Sequence, residues 1–548
     1  MTIGVPRHRP ALAERWGWWA AFGICALFFA LQVGALGYGT SINNLPHIAR
    51  YQIKDPGAAA SAVQRRNLIL DKTTYQESLD KQMLRYKLYS VESDEVINIM
   101  VLSRMRPGAA QLDPGFFLYG GAYIYPLGLW YFTLQKLGVI EVGSLAAMVA
   151  NPDRMDAIYI FGRMFVLIAV TLSGLVLFAS ARRLVPAGTA CLMLTIYYAA
   201  PATVMFSQTM KPHWYAMLWV NIAILMVVRA YVERRFGWGA AVITGAALGL
   251  AVGSAQTFAL FAVLVWIALA LAVRQGHMHR SHLASVPAIA ILAFAITNPY
   301  VLINWQVYLA ERNDVANNWF RFSLDPKYVW RFVAGSLAPG MGIAAAGLLL
   351  GVSAWRALRG STLERWIAGG VFLSVVVVGY LTAALSDWHI NLRYAPYLLG
   401  AGVLFLGVGM GARRNLWLGA CVILTVLQSV PMWLAYRDED STTRSTRLSA
   451  AKWIEANLPA GTGLVVGTKQ PAPYEVPPFD LTRYRINARD WTYQVAVERQ
   501  ADLAVTPTGA ELVKRFAPRL SLPAFPFVYS HINPQFSIYR RRDKPARP

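Results

Sequence analysis

The stretch 116–140, FFLYGGAYIYPLGLWYFTLQKLGVI, decides the fold, because it is apolar enough to cross a bilayer and everything downstream changes sides if it does. Eleven other runs have the about 17–25 apolar residues that a membrane-spanning helix needs. They lie at 17–38, 157–181, 187–205, 213–231, 237–254, 256–273, 283–303, 330–354, 366–386, 394–411 and 415–436. If 116–140 stays on one side, Arg182–Arg183, Arg229/Arg234/Arg235, Arg274/Arg280, Arg356/Arg359/Arg365 and Arg413–Arg414 all fall inside. If it crosses, every one of those clusters falls outside, against the positive-inside rule. The stretch therefore reads as a juxtamembrane or re-entrant helix on the outer leaflet. Residues 1–16 are then cytoplasmic, 17–436 form the membrane domain with a long first outer loop at 39–156, and 437–548 form an outer tail.

Composition agrees. Of 548 residues, 56% are hydrophobic and 15% charged, with a mean hydropathy of +0.39, which excludes an ordinary soluble globular chain. The net charge of +22 would point to nucleic acid in a soluble protein. Here most arginines cluster between apolar runs, so they act as topology signals and the anionic partner expected is lipid. Cys25, Cys191 and Cys421 all lie inside apolar runs, which supports neither a disulfide framework nor a Cys-based zinc site. The first run is too long for a signal-peptide core and no small-residue cleavage site follows, so it reads as an uncleaved span. High Arg and Ala content and the lack of a targeting peptide favour a bacterial inner membrane.

The tail has many Pro residues and short apolar stretches, the composition of a small α/β domain. AAKWIEANLPAG has helical spacing and stops at Pro-Ala-Gly, GLVVGT and DLAVTP read as short strands, and ELVKRF reads as a helix. In the first loop, 50–90 is polar and helix-prone.

The chemistry-bearing stretch of that loop runs from Tyr89 to Pro126 and holds the adjacent acidic pair Asp94-Glu95 close to a span, then Arg104 and Arg106, then a Tyr/Gly-rich apolar run. A carboxylate beside cations at a membrane surface suits chemistry on a phosphate-bearing lipid. The same Ser-Asp-Glu before an apolar run is also good helix-capping chemistry.

Several pieces, taken in order, resemble the GT-C membrane glycosyltransferases, within them the bacterial group related to protein O-mannosyltransferases and lipid A aminoarabinose transferases. They are Ser93-Asp94-Glu95 in the first outer loop, Pro114-Gly-Phe-Phe with Tyr123-Ile-Tyr-Pro126, and DAIYIFGRMFVLIAV leading to Arg182–Arg183. SQTMKPHWY, INLRYAPYLL and TRLSAAKWIEANLPAGT follow. His213 stands where the family motif carries Asp, and an extra polar segment precedes the acidic pair.

The resemblance implies inverting transfer of a monosaccharide from a polyprenyl-phosphate donor to a lipid, polysaccharide or protein acceptor on the periplasmic side. Asp94 is the expected base, with Glu95 orienting the acceptor or a bound cation. A divalent metal at Asp94 and Glu95 stays open. Lys211 and Arg393 emerge beside aromatic residues on the outer side and are candidates for the donor phosphate, or else snorkelling interfacial cations. Arg163, inside a span, needs a partner, either an acid of the loop or the substrate. Tyr119, Tyr123 and Tyr125, with His213 and His389, are candidates for the substrate pocket, against the default of an interfacial aromatic belt. No phosphate-binding glycine loop appears, so a cytoplasmic nucleotide-sugar donor is unsupported. Two other readings are a lipid or glycan transporter, which would show broken helices or midplane charges, and a non-catalytic assembly protein.

Overall fold

The computed structural model describes residues 11–40, 42, 45–53, 55, 57, 75–92, 94–234, 236–318, 323–381, 395–411, 413–466, 476–487, 490–498, 509–520 and 532–542. Over them the chain is a polytopic α-helical membrane protein with a small C-terminal sheet domain. It forms two compact units. One comprises Met1–Val33, Pro114–Leu127 and Met164–Val430; the other comprises Gly34–Asp113, Gly128–Arg163 and Pro431–Pro548.

Each of the eleven apolar runs coincides mainly with helix over its described residues. Seven are single helices long and apolar enough to cross a membrane, two are bent pairs, and Trp238–Ser254 and Pro396–Gly409 are shorter. The stretch 116–140 holds a 16-residue helix, Gly121–Lys136, shorter than the about 20 residues that crossing demands. Exposed Ile291, Leu292 and Ile296 on the helix Arg280–Thr297 suit a lipid-facing surface.

Two runs expected to be continuous are not. Run 187–205 bends by 60° between Ala187–Ala199 and Pro201–Ser207, because Pro201 supplies no backbone N–H and holds Ala200 extended at φ −56°, ψ 130°. Run 330–354 bends by 117° at Gly342, whose φ of +95° suits only glycine; a Cβ there would lie 2.8 Å from the Thr425 hydroxyl. Broken backbone at membrane depth must find partners. Adjacent residues of the helix Arg414–Asp438 supply them: the Ile343 N–H donates to Gln428 Oε1 at 2.8 Å, and the Ser429 hydroxyl donates to the Ala199 carbonyl.

The second unit contains the tail. Strands β1 (Gly463–Val466), β2 (Arg485–Ile486), β3 (Tyr493–Glu498), β4 (Ala510–Phe516) and β5 (Gln535–Arg541) form one mixed sheet in the order β2-β1-β3-β5-β4. The helix Thr446–Asn457 is capped by Ser445, which accepts the Leu448 N–H, and it packs against β4 and β5, with Trp453 edge-on to Phe516. ELVKRF is not helical; it is most of β4. A segment this short cannot offset helix nucleation by itself, and antiparallel pairing with β5 satisfies its backbone instead. DLAVTP lies outside the described residues. The polar segment 50–90 contributes the helix Tyr75–Leu88.

Candidate functional site

The acidic pair starts the helix Glu95–Arg104 in the second unit. Asp94 is the N-cap residue, half-buried, and its side chain makes no capping bond to that helix. Glu95 points elsewhere. It is fully buried against Arg163 of the helix Asp153–Leu184, with Arg163 Nε 3.0 Å from Oε1 and Nη2 2.7 Å from Oε2, a bidentate fork. The third guanidinium nitrogen donates to the Leu36 and Tyr38 carbonyls at 2.7 and 2.8 Å, and the cation lies 3.7 Å from the Tyr38 ring centre. Ser90 donates a 2.6 Å hydrogen bond to Glu95 and accepts the Glu92 N–H, while the Asp94 N–H is 3.4 Å from Glu92 Oε1.

The turn that presents Asp94 is therefore built on a buried ion pair. Each partner is engaged by the other: both Glu95 oxygens and two of the three Arg163 guanidinium nitrogens are taken up in the pair. A cation shared by Asp94 and Glu95 finds both Glu95 oxygens already bonded, and among the described residues no three His, Cys, Asp or Glu side chains form a metal-holding group. The same turn is fastened onward. The Tyr159 hydroxyl donates to the Leu88 carbonyl at 2.6 Å, and the Tyr86 hydroxyl reaches the Val476 and Pro477 carbonyls at 3.0 and 3.1 Å.

The first unit holds the other described candidates. Lys211, 1% exposed, is the extended N-cap residue of the helix Pro212–Glu233. Two residues on, His213 lies between the rings of Tyr119 and Phe206, at 6.4 and 6.0 Å. Tyr119 and Tyr125 line a narrow cleft with Phe117, Asn298 and Tyr300. Tyr123 does not line it; fully buried, it packs on Tyr215 and Phe165 as core. Gly120–Gly121 explains why the stretch is glycine-rich. Cβ atoms there would lie 1.7 Å from the Gly253 carbonyl oxygen and 2.1 Å from that of Thr297, while Gly121 N–H donates to Asn298 Oδ1 at 2.7 Å. Arg393 and His389 lie outside the described residues.

Sequence reasoning missed Glu311 and Arg312, which hold the Phe117 N–H and carbonyl at 2.7 and 2.8 Å. Their signal was present, a charged pair in the connection 305–327, but nothing local says which backbone they grip.

No protein-family model matches the sequence, and no curated protein does. Among solved structures the chain is similar to the crystal structure of ArnT from Cupriavidus metallidurans in the apo state, at 14% identity over 89% of this chain and 97% of that chain, with a TM-score of 0.39.

Proposed function

We propose that this chain is an integral membrane glycosyltransferase of GT-C type that moves a monosaccharide from a polyprenyl-phosphate donor to an acceptor on the periplasmic side of a bacterial inner membrane. The observation that carries the reading is the geometry of the acidic pair. Glu95 is paired with Arg163, and the neighbouring Asp94 is a half-buried carboxylate at the helix N-terminus whose side chain does not cap that helix, a position from which it can act as a general base.

Asp94 takes the proton of the acceptor hydroxyl or amine. The acceptor atom bonds to the anomeric carbon as the bond from that carbon to the phosphate oxygen breaks, with inversion, and the electron pair leaves on the polyprenyl phosphate. Lys211 is the proposed cation for that leaving charge, Arg393 shares the role, and Tyr119, Tyr125 and His213 are proposed to contact the sugar. Transfer from a panel of radiolabelled polyprenyl-phosphate sugars by the purified protein in lipid tests this. One donor is used by the wild type and at least about a hundredfold more slowly by folded Asp94→Asn, the lower end of general-base effects. A fully active Asp94→Asn removes Asp94 from the chemistry.

A second reading, a lipid or glycan transporter, is favoured by the two bent spans and their polar fastening at Gln428 and Ser429. Donor-independent movement of a labelled lipid across proteoliposomes, with no sugar transfer, would put it first.

A further inference from the structure

Within the second unit a groove of about 560 Å³ runs between the segment 45–50 and the tail domain, lined by His47, Arg50, Lys452, Glu455, Asp480 and Arg483 over an aliphatic floor that includes Leu448. Its size is that of an ordinary small-ligand site. Three formal cations face two carboxylates, and both carboxylates are already engaged. Glu455 Oε1 accepts the Asp480 N–H at 2.8 Å, and Asp480 accepts from the Thr482 N–H and hydroxyl at 3.0 and 2.5 Å. Among the described residues neither Arg50 nor Arg483 has an ion pair. Among the described residues His47 Nε2 is buried and makes no hydrogen bond, an unfavourable state that a bound donor or acceptor would relieve.

The walls are held. Lys87 Nζ lies 3.3 Å from the Ala49 carbonyl, and Tyr86 grips the backbone just before Pro478, a lining residue. Tyr86 and Lys87 lead within a few residues to the Ser90–Glu95 turn, so the groove wall and the turn that presents Asp94 share one fastening.

We propose that this groove binds the acceptor through an oxyanion, the carboxylate or phosphate of an acidic saccharide, with Arg50 and Arg483 receiving the anion and His47 Nε2 meeting a sugar hydroxyl. The inference rests on the transferase reading for the word acceptor, and on the groove alone for the binding. An oxyanion fits two guanidinium forks better than any neutral sugar, and the aliphatic floor suits pyranose C–H faces.

The test measures binding to the full-length protein in nanodiscs of neutral lipid, using a galacturonic acid trisaccharide, the neutral galactose trisaccharide, inorganic phosphate, and nanodiscs containing anionic lipid. The acidic trisaccharide is expected to bind at least tenfold more tightly than the neutral one. Arg50→Ala with Arg483→Ala should abolish the difference, and His47→Ala should weaken both sugars equally while the unfolding temperature holds. Equal affinity for the two trisaccharides overturns the proposal, as does undiminished binding to the double variant. Displacement of the acidic sugar by anionic lipid, or binding of inorganic phosphate as tight as that of the sugar, overturns it too, by showing that a headgroup or a free ion is the ligand. A protein that binds the acidic trisaccharide yet uses no donor defeats the transferase reading alone, whereas sugar transfer with no acidic preference in binding defeats this inference alone.

Discussion

Two buried glutamate–arginine clamps stand in the second unit, and their difference separates holding the fold from holding the turn that carries the proposed base. In the first, Glu95 and Arg163 tie the start of the helix Glu95–Arg104 to the helix Asp153–Leu184 and to the backbone at Leu36 and Tyr38. In the second, Arg447 Nε lies 2.7 Å from Glu439 Oε1, the Asn533 N–H donates to the other Glu439 oxygen, and the Thr446 N–H donates to Asn533 Oδ1 at 2.8 Å. That clamp joins the end of the helix Arg414–Asp438 to the first turn of the tail helix and the start of β5. All four charged side chains are fully buried. One clamp has a half-buried carboxylate, Asp94, as its immediate neighbour; the other has none of the candidate residues beside it. A buried ion pair is a poor marker of chemistry by itself, and it is what the pair presents that matters.

The comparison can be broken. Arg163→Met and Arg447→Met each strand a buried carboxylate and should cost about 3–5 kcal/mol, read as lowered unfolding temperatures in detergent. A clear inequality between them would end the parallel. Glu95→Leu with Arg163→Met, and Glu439→Leu with Arg447→Met, should restore most of the stability, because apolar replacement of a whole buried pair is often neutral or better. Of the two restored proteins, only the second should keep sugar transfer. If the first keeps it as well, the Glu95–Arg163 pair does not position Asp94.

Next in size is Asp94→Asn. It should lower turnover at least about a hundredfold, or about 2.7 kcal/mol of barrier, with no loss of stability comparable to the clamp variants. A stability loss as large as that of Arg163→Met would make Asp94 a third member of the clamp instead. A weaker, neutral clamp in the first unit sets the lower scale. Gln428→Leu leaves the Ile343 N–H unpartnered at the 117° bend and should cost about 1–3 kcal/mol; a loss below about 0.5 kcal/mol would mean the bend is fastened elsewhere.

The smallest effect concerns a buried cation without a carboxylate. Burial pushes the Lys87 ammonium below its usual range, and its nitrogen contacts the Ala49 carbonyl. A lysine whose folded pKa is depressed favours folding above its unfolded value of about 10.4, and that contribution is lost as pH falls through the folded value. Lys87→Met should therefore raise the unfolding temperature slightly at pH 7, and the gain should shrink toward pH 10. A gain that grows with pH would show Lys87 to be held by a charge after all.

Much of this was legible from the chain. Apolar runs announce helices because length and hydropathy are local properties, while the run 116–140 is itself long enough to cross and only the downstream arginine clusters argued against crossing. The acidic pair was visible as a pair, but its division of labour was not. Neighbours on a helix diverge by about 100°, and only the arrival of Arg163, 68 residues on, shows which of the two it pairs with. Glu439 and Arg447 were invisible for the opposite reason, since RDEDSTTRSTR has the composition of a solvated linker.

By itself the sequence determined that this is a polytopic helical membrane protein, where its apolar helices lie, and that a small tail domain follows them, since each of those follows from composition within a window of about 20 residues. Tertiary structure alone decided the rest. Gly342 bends a span only because Gln428 receives the freed N–H, ELVKRF becomes a strand because β5 lies beside it, and Glu95 becomes structural because Arg163 reaches it. Each outcome depends on a partner far away in the chain, and a buried polar or backbone group takes its role from whichever partner satisfies it.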